Sequence, residues 1–261
     1  MVDEMSLLQG AIWLAIYWMY AAWAVHLVKR DVSVVDLFWG PGFVWIAWYA
    51  YFSSPSASLR SLIVAVLATI WGARLFIHLS IRSRGRGEDP RYTNIRNKYE
   101  PGFWWKSLGI IFALQAALMV VISLVLQATI VNPGPESLSF LDFLGIAIWA
   151  TGLFFESVGD YQLFRFVRNP SNKGKVLASG LWAWTRHPNY FGESLIWWGF
   201  FVICINNFSN VWAIISPITI TFLLLRVSGV TLLEEQMIKE NPAYRDYVFK
   251  TSSFLPKPPK K

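Results

Sequence analysis

A chain of 261 residues that is 55% apolar, carries only 15% charged side chains and holds 15 tryptophans does not describe a soluble globule. It describes an integral membrane protein. The net charge of +7 favours anionic lipid headgroups or an anionic cofactor as partners and is weak evidence for nucleic acid.

Apolar windows of roughly 20 residues, long enough for about 30 Å of hydrocarbon, fall at 9–28, 33–52, 60–80, 107–130, 139–158, 190–205 and 211–233. The sequence therefore predicts an all-α polytopic fold of about seven transmembrane helices in a single domain over 1–261. The first window follows acidic Asp3 and Glu4 and lacks a small-residue cleavage site, so it is expected to be a retained helix. The sixth is the shortest, and is either a full crossing or a tilted or re-entrant segment. The Trp-Gly pairs at 39–40, 71–72 and 198–199 mark expected close helix contacts.

The connections alternate sharply in charge. Lys29 and Arg30 follow the first window, Arg82, Arg84, Arg86, Arg91, Arg96, Lys98 and Lys106 the third, and Arg165, Arg168, Lys173, Lys175 and Arg186 the fifth. The tail from Pro256 to Lys261 is basic and is expected to be disordered. The opposite connections carry a single Arg60. Because basic residues are retained on the cytoplasmic side, the N-terminus is placed outside and the C-terminus in the cytoplasm. One cysteine and three histidines without i, i+3 or i+4 partners supply no metal-binding pattern.

An ionisable side chain inside a span costs from about 2.5 kcal/mol upward, so each is a functional candidate. Asp36, Arg74, His78, Glu156, Asp160, Glu193, Arg226, Glu234 and Glu235 all fall in or beside the cytoplasmic half of their windows. That pattern is a one-sided cup open to the cytosol, unlike the through-path of a transporter. The Gly-interleaved arginines Arg82, Arg84 and Arg86 suit phosphate oxygens.

The string Ser179-Gly180-Leu181-Trp182, followed by Arg186-His187-Pro188-Asn189-Tyr190-Phe191-Gly192-Glu193, resembles the bacterial membrane proteins classed with the steroid 5α-reductases. Further matches are Trp71-Gly72 with Arg74, Arg84 to Tyr92, Asp160 with Gln162, and Glu234-Glu235 ahead of Tyr244 and Tyr247. The resemblance implies an NADPH-dependent reductase of a conjugated carbon–carbon double bond in a steroid-like or other lipophilic substrate drawn from the bilayer. It implies cofactor contacts for Arg84, Arg86, Asp160, Arg168, Arg186, His187, Asn189, Glu193, Arg226 and Tyr244. In that family a glutamate on the second helix and a tyrosine on the third grip the substrate carbonyl. The acid position falls here on Asp36. No tyrosine lies between Trp71 and Ser80, and the partner is Tyr190 or a residue the sequence does not identify. Sterol double-bond reductases share the His-Pro-Asn-Tyr string. Isoprenylcysteine carboxyl methyltransferases, which use S-adenosylmethionine, are similar as well, and a non-enzymatic lipid-binding protein is the third reading.

Reduction of an enone needs a hydride at the β-carbon, stabilisation of the developing oxyanion and a proton for the α-carbon. A protonated Asp36 is the expected hydrogen-bond donor to that oxygen, with Phe38, Trp39 and Trp45 as an apolar wall.

Overall fold

The computed structural model describes residues 4–85, 87–227, 234, 237, 238, 241 and 243–259. Among these residues the fold is all-helical, and the chain divides into two compact units. The first comprises 1–138 with 204–213, and the second 139–203 with 214–261. Among the described residues, five helical stretches are long and apolar enough to cross a membrane: Leu7–Lys29, Leu59–Ser83, Phe103–Val131, Phe140–Arg168 and Phe208–Val227.

The first unit contains α1 (Glu4–Lys29), α2 (Val34–Ser53), α3 (Leu59–Ser83), α4 (Pro90–Tyr99), α5 (Phe103–Ser107) and α6 (Leu114–Val131). A π-helical stretch, Leu108–Ala113, joins the last two. Helix α2 packs against α1, α3 and α6. Tryptophan, tyrosine, glycine and Pro41 dilute its aliphatic content, which is why it is not among the five spanning stretches. Its glycines instead admit neighbours: a Cβ on Gly40 would lie 2.7 Å from the Gly72 carbonyl oxygen of α3. Two of the three Trp-Gly pairs thus meet as expected. Arg60, the lone basic residue of the opposite connections, is only 1% exposed. Its guanidinium donates to the carbonyls of Pro133, Pro135 and Ser137 at 2.5, 2.6 and 2.9 Å, so the charge ties two connections together.

The second unit contains α7 (Phe140–Arg168), α8 (Pro188–Cys204), α9 (Ile215–Phe222) and α10 (Ala243–Lys250). A capping box starts α7: the Ser139 hydroxyl accepts from the Leu141 N–H, and the Asp142 carboxylate from the Ser139 N–H. Pro188 opens α8, where its missing N–H costs nothing. At 17 residues, about 25 Å at 1.5 Å per residue, α8 stands at the lower limit of crossing lengths. Glycines recur every seventh residue on both helices, at 145, 152 and 159 on α7 and at 192 and 199 on α8. A Cβ on Gly152 would meet the Gly192 carbonyl oxygen at 2.6 Å, and one on Gly199 the Trp149 amide nitrogen at 2.7 Å. Backbone contact this close brings the polar end of α7 against the first turn of α8.

Candidate functional site

In the second unit, that seam sets Asp160 of α7 beside Asn189 of α8, whose side-chain amide donates to the carboxylate at 3.0 Å. The chain between the helices is pinned at two points. Gly180 adopts a left-handed φ of 61°, and the Gln162 amide fills the space its side chain would need. The Gln162 carbonyl accepts from the Leu181 N–H at 3.0 Å, and the Trp182 indole donates to the Gly159 carbonyl at 3.0 Å.

Arg186 and His187 follow, 7% and 5% exposed. The Arg186 guanidinium spans both oxygens of Glu234 at 2.7 and 2.8 Å and also donates to the carbonyls of Val248, at 2.8 Å, and Thr251. His187 Nε2 lies 2.9 Å from Glu234 Oε1, and its ring stacks parallel to that of Tyr190 at 5.4 Å. Burial alone would raise the Glu234 carboxyl, but the bonds from His187 and Arg186 hold it below its ordinary 4.5. Burial, then the charge of Glu234, pushes the Tyr244 phenol up to about 12.

The C-terminal segment closes over this cluster. The Arg186 N–H donates to Ser252 at 2.8 Å, the Thr185 hydroxyl to Phe254 at 2.8 Å and the Lys257 N–H to Trp184 at 2.9 Å, each to a backbone carbonyl. Lys257, at the start of the basic tail, is therefore tied down. Glu193 accepts from the Trp197 indole one turn on, at 2.9 Å. Arg168 is exposed over the Phe164 ring, and Arg226 is exposed in the π-helical turn Leu223–Val227. Neither bonds to the cluster.

Asp36 and Arg84 belong to the first unit. Arg84 is exposed at the end of α3, and Arg86 and Glu235 lie outside the described residues. Asp36 is half-buried in the first turn of α2. The Tyr92 hydroxyl donates to its Oδ1 at 2.6 Å, and Arg91 approaches its Oδ2 at 3.3 Å. Tyr92 is the residue that sequence reasoning missed. Asp89 N-caps α4 and grips the Arg91 guanidinium at two points, both 3.0 Å. Glu88 pairs with Arg96 at 2.6 and 2.9 Å and accepts from the Val32 N–H at 2.8 Å. Arg96 also donates to the carbonyl of Arg30, which holds a left-handed φ of 55°. Glu88 and Arg96 thereby fix the turn that launches α2 and aims Asp36. Burial first, and then the Asp36 charge, raise the Tyr92 phenol well above 10.0, so it keeps its proton at neutral pH. Asp36 receives two donors here, where the sequence led us to expect it to donate. A cavity of about 340 Å³ opens beside it.

The profile of a family described as a protein of unknown function, DUF1295, matches residues 22–251. The chain belongs to the DUF1295 family. The matched range holds both charged groups of this DUF1295 protein, Asp36 with Tyr92 and Arg186 with Glu234. An uncharacterized Schizosaccharomyces pombe protein is 26% identical over 265 aligned positions, covering 90% of this chain and 75% of the relative. No solved structure matches the chain.

Proposed function

We propose that this DUF1295 protein is a membrane-embedded, NADPH-dependent reductase of a conjugated carbon–carbon double bond in a lipophilic ketone. One observation carries the reading: the Asp36 carboxyl borders a cavity, and the Tyr92 phenol lies 2.6 Å from that carboxyl. That is the acid and tyrosine pair the family resemblance calls for, with the tyrosine supplied by α4 instead of the third helix.

In this reading the Tyr92 hydroxyl turns from Asp36 to the ketone oxygen and donates to it as negative charge develops. Asp36, held by Arg91, orients the phenol before and after that exchange. NADPH, when bound, supplies the hydride for the β-carbon, and solvent supplies the proton that completes the α-carbon. The second unit fits such a cofactor chemically. The Asp160–Asn189 pair offers both donor and acceptor to amide or hydroxyl groups, and the exposed Arg168 and Arg226 keep guanidinium donors for phosphate. Arg186 is committed to Glu234 and two carbonyls, and we assign it to positioning the motif.

The reading includes seven crossings, with α2 and α8 completing the five apolar stretches. The N-terminus is outside, and the site opens to the cytoplasm from a bacterial inner membrane. A fluorescence titration of the purified protein tests the core of it. NADPH is expected to bind in preference to NADH. A response to S-adenosylmethionine in its place, or to none of the three, overturns the proposal.

A further inference from the structure

The cavity beside Asp36 is walled by six polar side chains, those of Ser33, Asp36, Arg82, Ser83, Glu88 and Asp89. Their partners differ in strength. Glu88 is held by Arg96 and the Val32 N–H, Asp36 by Tyr92 and Arg91, and Asp89 by Arg91. Arg82 is the exception: it comes no closer than 3.7 Å to Asp89, its side chain is 51% exposed, and it makes no side-chain hydrogen bond to a described residue. A guanidinium with no side-chain hydrogen bond to a described residue thus faces the same cavity as Asp36, the carboxyl proposed to orient Tyr92.

An unsubstituted apolar ring system in this space would strip water from six polar side chains and return few bonds to them. A substrate end bearing an oxyanion answers Arg82 with charge-assisted bonds. Leu37 and Leu79 supply apolar wall for the adjoining chain. We propose that the cavity selects substrates whose carbonyl end carries a carboxylate or phosphate group, and that Arg82 is the residue that recognises it. The inference rests on the reading above that this cavity receives the carbonyl end of the substrate.

The test uses the full-length protein in phosphatidylcholine nanodiscs without NADPH, titrated with gamma-ketododecanoate and with its uncharged methyl ester. The parent is expected to bind the acid about tenfold more tightly, in line with one charge-assisted contact at a half-exposed site. Arg82→Gln is expected to erase that preference while leaving ester affinity unchanged, and Arg82→Lys to restore part of it. Asp89→Asn removes the carboxylate that competes for Arg82 and is expected to tighten acid binding, a gain that misfolding cannot imitate. Equal binding of acid and ester by the parent, or binding of neither, overturns the inference. So does an equal loss of preference in Lys98→Gln, which removes an exposed charge elsewhere on the first unit. Displacement of the acid by NADPH would assign the anion site to the cofactor and overturn it as well. Failure of the reductase reading shows separately, as an NADPH titration without response.

Discussion

Each unit of this protein sets arginine against carboxylate, yet the two clusters are built to opposite ends. Around Arg186 the guanidinium, the imidazole and the Glu234 oxygens are satisfied by protein groups, and the cluster is sealed. Around Asp36 the same residue types border a cavity and leave Arg82 loosely held. A saturated cluster has nothing left to offer a ligand and serves to fix the backbone. An unsaturated one beside open space can exchange an internal partner for an external one, and that is where recognition belongs.

The largest effect that would break this contrast is expected from Arg186→Ala. It leaves the Glu234 charge with His187 alone and takes the Arg186 donor from two carbonyls, a loss on the order of 3–5 kcal/mol, read as a lower unfolding midpoint in detergent. An unchanged midpoint would mean that the sealed cluster holds nothing together. Next comes Tyr92→Phe, expected to cut turnover of an enone probe by on the order of a hundredfold, as removal of an oxyanion donor does. Its unfolding midpoint should stay near that of the parent. Asp36→Asn should lower turnover similarly with NADPH affinity unchanged; parental turnover would remove Asp36 from the chemistry.

Gly192→Val sharpens the contrast from the side of packing. Its Cβ would sit 2.5 Å from backbone atoms of α7, and overpacking of that kind costs about 1–3 kcal/mol. The midpoint should fall while acid-probe binding in the first unit persists. Acid offers a smaller, graded handle. Because the Glu234 carboxyl lies below its ordinary 4.5 in the fold, its stabilising contribution is present above that value and lost as pH falls through the folded one. Glu234→Gln should flatten this acid limb of the stability profile. The smallest effect is expected from Arg168→Ala, about a two- to fivefold loss of NADPH affinity for an exposed charge, seen in the same titration.

The helices were legible because apolar length and Trp-Gly spacing are local signals; Asp160 and Asn189 were each singled out by a motif, and the contact between them is visible only in the fold. Tyr92 was not legible as a partner of Asp36. The contact spans 56 residues and depends on α4 folding back after α3 ends at Ser83, which no periodicity announces. Its only local trace was Arg91-Tyr92 among the motif matches. The partners of Arg186 were not legible for a related reason: the resemblance implies a cofactor contact there, and its acceptors in the fold are Glu234, 48 positions away, and backbone carbonyls that any sequence could provide. Arg60 likewise stood out only as an exception to the charge alternation, until the carbonyls of 133–137 accounted for it.

The return of residues 252–257 onto 184–186 bears on how the chain is made. Thr185 waits for an acceptor 69 positions downstream, so during synthesis the whole Arg-His-Pro turn emerges before its clasp exists. Ribosome-stalled intermediates ending short of Phe254 should carry a protease-sensitive turn that hardens once translation passes that point. A fusion partner joined directly after Lys250 would replace the clasp and leave the turn soft for good.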